Sequence, residues 1–243
     1  MNSTQSKLLL SSASSRTTMI LGLTLAIWIL TPIFCGEALS SDPSEGKNVV
    51  ELNRITVNKI NKEIRIKVKL AIEEGILEYL LVDQQGKTYE SVFKVVDNKP
   101  SELNFALLLI GCKPLNFDKF VKLISEKKTS PEHLKGDEQS LLEIQLYSNG
   151  ERVPLNRLVK NREGSGKPLL WVYTGGYFAG GNRYAGDTEL SHIGFWPDPS
   201  AVINLFSSLG NPYQGDFGFE MNKENKMLKV DQDFEIVIRR QQL

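Results

Sequence analysis

Residues that bind transition metals or iron–sulfur clusters are scarce in this sequence, which has 2 cysteines and 2 histidines among its 243 residues. The cysteines form no CxxC pair, and Cys35 falls in an N-terminal segment that we expect to be removed. The mature chain then keeps only Cys112, whereas an iron–sulfur cluster generally takes four thiolates. We therefore expect no internal disulfide, no metal and no cofactor.

An excess of charge of either sign is also missing, because 29 Lys and Arg residues balance 29 Asp and Glu residues. Non-specific nucleic-acid binding draws its affinity from clustered cationic residues that neutralise phosphates. No such cluster stands out here, so we expect no nucleic-acid partner. The hydrophobic share of 41% and the charged share of 24% are ordinary for a globular protein.

The N-terminal segment has the parts of a secretory signal peptide. Lys7 and Arg16 precede an uncharged run from Thr17 to Phe34, and small residues follow at the spacing that a signal peptidase needs. We predict a signal peptide over residues 1–38 and a flexible leader over 39–48. The folded part is then extracytoplasmic, in the periplasm or cell envelope, or is secreted.

Two alternatives stay open for this segment. The uncharged run nearly reaches the roughly 18 to 20 residues that span a bilayer, so an uncleaved membrane anchor is one alternative. The other is a lipid attached to Cys35, although Phe34 stands where lipoprotein signals have a small residue. We expect membrane contact only through this segment.

Alternating apolar residues predict a mostly antiparallel sheet. The clearest strand runs from Ile64 to Leu70, where apolar residues alternate with Arg and Lys. The stretches Leu142 to Leu146 and Phe234 to Ile238 repeat the pattern. Ile76 to Val82 and Thr88 to Val96 are predicted to pair as a hairpin around a turn that contains a glycine.

Two helices complete the predicted fold. The segment at about 100–110 is apolar on nearly every side, and a helix of this kind is stable only when buried. Pro100 suits its first position, and Gly111 suits its end. A second helix is predicted near 199–209. We therefore expect a single α+β domain over residues 49–243, with the sheet packed around the first helix.

Short sequence blocks recur in a recognisable order along this domain. They are GILEYLLV and GKTYES in the predicted hairpin, ALLLIG at the end of the first helix, and then WVYTGGYF and YAGD. From about Val49 to the C-terminus the chain resembles the YdjY domain family of exported bacterial proteins. That resemblance implies an exported protein of uncharacterised function. Some members carry a ferredoxin-like label, from which this chain departs because it lacks four thiolates.

The candidate catalytic residues are His192, Asp187 and Glu90. His192 follows Asp187 in a stretch rich in glycine and aromatic residues, where a carboxylate would hold it as a general base. Glu90 and Glu78 flank the predicted hairpin turn. In one register of the hairpin the two carboxylates share a sheet face, and their repulsion raises the pKa of one of them, which suits acid–base catalysis. In the other register they lie on opposite faces. The alternative is structural, with solvated or capping carboxylates and a histidine at the surface or in the core.

The glycine-rich stretch after the block WVY is the candidate binding loop. Glycines allow close approach of the backbone to a ligand, and aromatic rings offer flat contact surfaces. The alternative is a tight hairpin whose aromatic residues fill the core. The predicted binding residues are Tyr177, Asn182, Arg183, Tyr184 and Asp187.

The sequence contains no complete catalytic or metal-binding set of residues. We therefore expect an exported, non-catalytic module that binds a protein, peptide or glycan of the cell envelope. The alternative is an extracytoplasmic hydrolase-type enzyme that uses His192 with Asp187 or Glu90.

Overall fold

The computed structural model describes residues 48–164, 169–207, 212–215, 217–223 and 228–241. The predicted signal peptide, Cys35 and nearly all of the predicted leader lie outside them. The described residues form three α-helices: α1 (Pro100–Leu109), α2 (Phe117–Ser125) and α3 (Ala185–Glu189). They also form the strands β1 (Val49–Leu52), β2 (Ile55–Asn58), β3 (Glu63–Leu70), β4 (Ile76–Leu77), β5 (Tyr79–Asp83), β6 (Ser91–Val95), β7 (Leu141–Ser148), β8 (Glu151–Val153), β9 (Val159–Asn161), β10 (Trp171–Tyr173), β11 (Phe178–Ala179), β12 (Arg183–Tyr184), β13 (Ser191–Gly194), β14 (Ile203–Leu205), β15 (Phe219–Met221) and β16 (Asp233–Arg240).

Eight of these strands form a sheet that closes on itself, in the order β3-β16-β7-β10-β14-β13-β5-β6. The ring is completed where β6 pairs with β3, at Lys69 with Lys94 and Leu70 with Phe93. The pairs β5–β6 and β13–β14 are parallel, and the other pairs in the ring are antiparallel. Strands β1 and β2 extend the sheet beside β3, and β8 pairs with β7. A three-stranded sheet, β4-β15-β9, and the hairpin β11–β12 are separate from it.

The inner face of the closed sheet holds the hydrophobic core. On β3 and β16, Ile66 pairs with Ile236 and Ile64 pairs with Ile238, and all four side chains are fully buried. The residues between them point outward, as Arg65 does. A closed sheet buries its inner face with its own side chains and needs no helix in the middle.

The predicted α+β architecture, with a sheet packed around a buried helix, is therefore wrong, and the protein is mostly β. Only one side of α1 packs on the core, where Leu103 and Leu107 are fully buried. On its other side, Phe105 and Leu108 are each 49% exposed. The apolar character of α1 on all sides gave the prediction, but the side chains of Phe105 and Leu108 on one side are half exposed to solvent.

The predicted hairpin is also wrong, because β5 and β6 run parallel. Tyr79 pairs with Ser91 and Asp83 pairs with Val95. Residues 84–90 carry the chain back along β5, and they include a short 3-10 turn at Thr88–Glu90. A glycine between two apolar runs is typical of a hairpin, and the sequence carries no mark that distinguishes this unusually short parallel connection.

The second predicted helix, near 199–209, is replaced by strand β14. Its residues Ile203 to Leu205 are buried on both faces, between β10 and β13. A central strand with two buried faces shows no alternation, so its apolar run imitates a short buried helix. Residues 208–210 of that prediction lie outside the described ranges.

Other local predictions are confirmed. Strands cover Ile64 to Leu70, Leu142 to Leu146 and Phe234 to Ile238. Asn149 and Gly150 join β7 to β8 with φ angles of 52° and 80°, as a two-residue turn of the hairpin kind requires. Helix α2 packs on the outer face of the closed sheet. Within the described residues, no helix is long and apolar enough to cross a membrane.

Candidate functional site

An open groove of about 1430 Å³, here named the mouth groove, lies at one end of the closed sheet. It is bordered by the start of β7, the end of β16, the turn between β2 and β3, and strands β9 and β15. Small-molecule pockets typically hold about 300–1,000 Å³, so the groove has room for an extended ligand. The apolar residues Leu142, Ile144, Leu155, Leu169, Trp171 and Phe219 form its floor, and the amide side chains of Asn61, Asn156, Asn161, Asn222 and Gln241 also line the groove.

The strand register explains why an arginine stands at the edge of this floor. Arg240 pairs with Leu142, and Leu142 pairs with Trp171. Paired residues on neighbouring strands point to the same face of a sheet. Leu142 and Trp171 are 1% and 2% exposed, so this is the inner face. Arg240 therefore continues the inward-facing series of Ile236 and Ile238 and points inward at the rim.

Cationic side chains outnumber anionic ones around the mouth groove. Lys62, Arg152, Lys160, Arg239 and Arg240 line it, against the single carboxylate of Glu143. Three of the cations have carboxylate neighbours within the protein. Arg239 forms a close ion pair with a glutamate, and Arg152 and Lys160 each lie 3.9 Å from a carboxylate oxygen.

Among the described residues, Lys62 and Arg240 are the two cations of the groove lining whose charge is not balanced by a neighbouring carboxylate. In the part of the chain that the structure describes, neither side chain forms an ion pair or a hydrogen bond. Burial raises the pKa of the Cys112 thiol to about 11, and attraction to Arg240 and Lys62 opposes that rise. Glu63 pairs with Arg239, so Lys62 and Arg240 directly adjoin one cross-strand pair and lie at the same end of β3 and β16. This arrangement favours binding of an anionic group there.

A second polar cluster surrounds Lys87, outside the lining of the mouth groove. The Lys87 amine lies 3.6 Å from a carboxylate oxygen of Glu78 and 3.5 Å from one of Glu90. The Tyr213 hydroxyl donates a hydrogen bond of 2.6 Å to Glu90. Burial raises the pKa of Glu78, and the charge of Glu90 raises it further, while Lys87 opposes the rise. The sequence analysis considered two hairpin registers, and in one of them Glu78 and Glu90 share a face of the sheet.

Tyr79 links this cluster to the loop after β13. Its hydroxyl donates a hydrogen bond of 3.0 Å to Asp198, and Lys87 donates to the same hydroxyl at 3.4 Å. Asp198 in turn accepts a hydrogen bond of 2.6 Å from the Ser200 hydroxyl. Burial and the charge of Asp198 raise the pKa of Tyr79, so it stays a neutral phenol. The groups of the cluster are thus bonded to one another.

The candidate base, His192, is fully buried in β13. Its Nε2 atom lies 3.2 Å from the carbonyl oxygen of Asn98, and Nδ1 has no hydrogen-bond partner among the described residues. Burial lowers the pKa of His192 to about 3, so the ring is neutral near pH 7. A general base must reach its substrate, directly or through one water, and this ring has no exposed surface.

Asp187, the predicted partner of His192, binds the start of α1 instead. Its carboxylate accepts hydrogen bonds of 2.8 Å from the Ser101 amide and 2.7 Å from the Ser101 hydroxyl. A carboxylate in this position favours the helix because it faces the positive end of the helix dipole. The structure therefore does not bring His192, Asp187 and Glu90 into one hydrogen-bonded group.

The remaining predicted binding residues lie at the hairpin β11–β12, outside the mouth groove. Tyr177, Asn182 and Arg183 are exposed there. Tyr184 is buried, and its hydroxyl donates a hydrogen bond of 2.7 Å to the carbonyl of Gly175. The predicted loop thus combines an exposed tip with a core aromatic residue, as the two alternatives for its sequence had each proposed in part.

The mouth groove itself was missed from the sequence. One signal was available: the alternation of Ile236 and Ile238 reaches Arg240 in an inward-facing position, where an apolar side chain is the rule. Trp171 gave no signal, because an aromatic residue in an apolar strand reads as core. Among the described residues, no group of three or more His, Cys, Asp or Glu side chains could hold a metal ion.

Comparison with known proteins adds a family assignment. A family model described as the YdjY domain matches residues 55–188. No curated protein and no solved structure gives a significant match. The matched span runs from β2 through most of α3 and includes Trp171, while Arg240 lies beyond it.

Proposed function

Because the chain belongs to the YdjY domain family, we propose that it is an exported protein of the cell envelope and acts as a non-catalytic binding module. Its ligand occupies the mouth groove. The observation that carries this proposal is the combination of an open apolar floor with the uncompensated charges of Lys62 and Arg240. Ligand sites are commonly concave and mostly apolar, with a few polar groups that fix the orientation of the ligand.

Export is supported by the sequence pattern of the first 38 residues, in which basic residues precede an uncharged run. A protein, peptide or glycan as the partner stays a prediction from the sequence. The hydrolase alternative has less support, because His192 has no exposed surface and Asp187 is bonded to Ser101. The mouth groove supplies a concave site of sufficient size for a ligand.

The proposal is tested by mass spectrometry of what copurifies with the full chain from an envelope fraction. In Leu155→Trp, a larger side chain fills part of the groove floor. Leu108→Trp adds the same side chain on the exposed side of α1, outside the groove. We expect a bound molecule with the wild type and with Leu108→Trp, and little of it with Leu155→Trp.

Equal recovery from Leu155→Trp would exclude the mouth groove as the binding site. Absence of any bound molecule from the wild type, when envelope extract also fails to raise its melting temperature, would contradict a binding role in this groove. Recovery of the full chain in the cytoplasmic fraction would contradict export.

A further inference from the structure

The mouth groove separates its charge from its apolar surface. Lys62 and Arg240 adjoin the cross-strand pair of Glu63 and Arg239 at one side of the groove. The register places Trp171 two strands away from Arg240. Neighbouring strands lie about 4.8 Å apart, so an apolar floor of roughly 10 Å leads away from the charged end. A ligand that matches this division has an anionic group at one end and an apolar body behind it.

We propose, on the basis of the binding role above, that the ligand is an anionic single-chain lipid: an alkyl chain with one carboxylate or phosphate headgroup. Arg240 and Lys62 bind the headgroup, and the chain lies over Leu142, Ile144 and Trp171. Guanidinium groups are well suited to carboxylates and phosphates because they present paired donors in a fixed plane.

The floor favours an alkyl chain over the other envelope ligands. Five of its six residues, Leu142, Ile144, Leu155, Leu169 and Phe219, have no side-chain donor or acceptor, and the sixth, Trp171, has a single N–H donor. Glycan hydroxyls and peptide amides that lose water against such a surface need hydrogen bonds that these side chains do not supply. An alkyl chain needs none, and each buried methylene tightens binding roughly fourfold.

The position of the cations sets the specificity. Arg240 stands in an inward-facing position, so its charge is directed at the groove and not at bulk solvent. Because neither Arg240 nor Lys62 has an ion-pair partner in the described ranges, a bound anion displaces no internal carboxylate. A cationic lipid of the same length meets repulsion at the same point, and a neutral one gains only from its chain.

The test is calorimetric titration of the full chain with four ligands of equal chain length, each below its micelle-forming concentration. They are dodecanoate, dodecyl phosphate, dodecyl maltoside and dodecyltrimethylammonium. We expect both anionic ligands to bind at least about tenfold more tightly than the maltoside and the ammonium, as for hydrogen bonds to charged groups. Whichever anion binds more tightly identifies the headgroup. Decanoate, which is two methylenes shorter, should bind roughly fifteenfold more weakly than dodecanoate.

Three variants localise the effect. Arg240→Gln and Lys62→Gln should each weaken dodecanoate binding about tenfold or more, since each removes a charged donor. Binding of the maltoside should stay unchanged, which also shows that the variants are folded. Lys67→Gln makes the same change of charge at an exposed, outward-facing position on β3 and should leave dodecanoate binding unchanged.

Equal binding of maltoside and dodecanoate, unaffected by Arg240→Gln, would overturn the anionic class while the binding role of the groove stands. A loss in Lys67→Gln as large as in Arg240→Gln would also overturn it, because the effect would then follow net charge. If none of the four ligands binds, the lipid proposal fails, and the copurification experiment decides separately whether another ligand occupies the groove.

Discussion

The backbone amide of Glu78 donates a hydrogen bond of 2.9 Å to the backbone carbonyl of Glu90. This contact lies just before the parallel pair β5–β6 and brings both carboxylates to the amine of Lys87. Burial is the main reason that the pKa of Glu78 is raised above 4.5, and the charge of Glu90 adds to it. The folded protein therefore retains the proton of Glu78 to a higher pH than the unfolded chain does.

The sign of the resulting pH effect follows from this difference. The stability contributed by Glu78 is complete below pH 4.5 and is lost as the pH rises through the raised pKa. We expect Glu78→Gln to raise the free energy of unfolding at pH 7 and to change it little at pH 4. Urea unfolding at the two pH values measures the difference. Glu151→Gln, at an exposed position on β8, is the matched control; a lower stability of Glu78→Gln at pH 7 would contradict the prediction.

His192 should give a pH effect of the opposite sign. Its pKa falls from 6.5 to about 3 on burial, so the stability that it contributes is present above pH 6.5 and is lost as the pH falls towards 3. In that window the wild type should lose up to ~1.4 kcal/mol per pH unit from this group. We expect the pH dependence to be shallower in His192→Gln by this amount, as measured by denaturant unfolding. His133→Gln, at an exposed position, is the matched control for loss of a histidine; an unchanged slope in His192→Gln would refute the assignment.

Two adjacent leucines test the observed orientation of α1. Leu107 is fully buried and Leu108 is 49% exposed. Leu107→Ala should lower the free energy of unfolding by about 2–5 kcal/mol, since it leaves a cavity in the core. Leu108→Ala should change it by less than about 0.5 kcal/mol. Comparable losses from both would instead support a helix buried on all sides.

Two glycines with positive φ provide a matched pair in the stretch between β10 and β12. Gly176 has φ of 60°, and a Cβ atom there would lie 2.7 Å from the Tyr184 hydroxyl and 3.0 Å from the Ser200 carbonyl oxygen. Gly181 has φ of 78° with open space around it. We expect Gly181→Ala to cost about 1 kcal/mol from backbone strain alone. Gly176→Ala should cost about 2–3 kcal/mol, because steric overlap adds to the strain. Thermal unfolding measures both, and equal losses would show that the contact with Tyr184 relaxes freely.

The sequence predicted the strands that have one face in solvent, and it failed for β14, which has none. Alternation between apolar and charged residues identifies β3 and β16, because each exposes one face to solvent. Strand β14 is buried on both faces, so its sequence lacks the period that separates a strand from a helix. The position of helix α1 was predicted correctly, but its burial on all sides was not. The pattern of apolar residues in a sequence does not tell which of them are buried. An apolar side chain that is exposed at the surface, such as Phe105, therefore looks the same in the sequence as one in the core.

The candidate site depends on long-range pairing, which the sequence does not contain in readable form. Leu142 and Arg240 are far apart in the chain and become neighbours only through the register of β7 and β16. The closeness of Glu78 and Glu90 was considered as one of two hairpin registers, yet it arises from a parallel pair. In both cases the sequence shows the types of the residues but not the strand pairing that brings them together.

Strand β16 occupies the place between β3 and β7, with seven paired residues on one side and six on the other. It follows all other strands of the ring in chain order, so a ribosome delivers this central element late. Until then, β3 and β7 present unsatisfied edges, and we expect the nascent polypeptide to remain open to proteases. If the chain is exported as proposed, such a delay suits its passage, still unfolded, through a translocation pore. Protease resistance in ribosome-bound chains that stop before Asp233 would show that the delay does not exist.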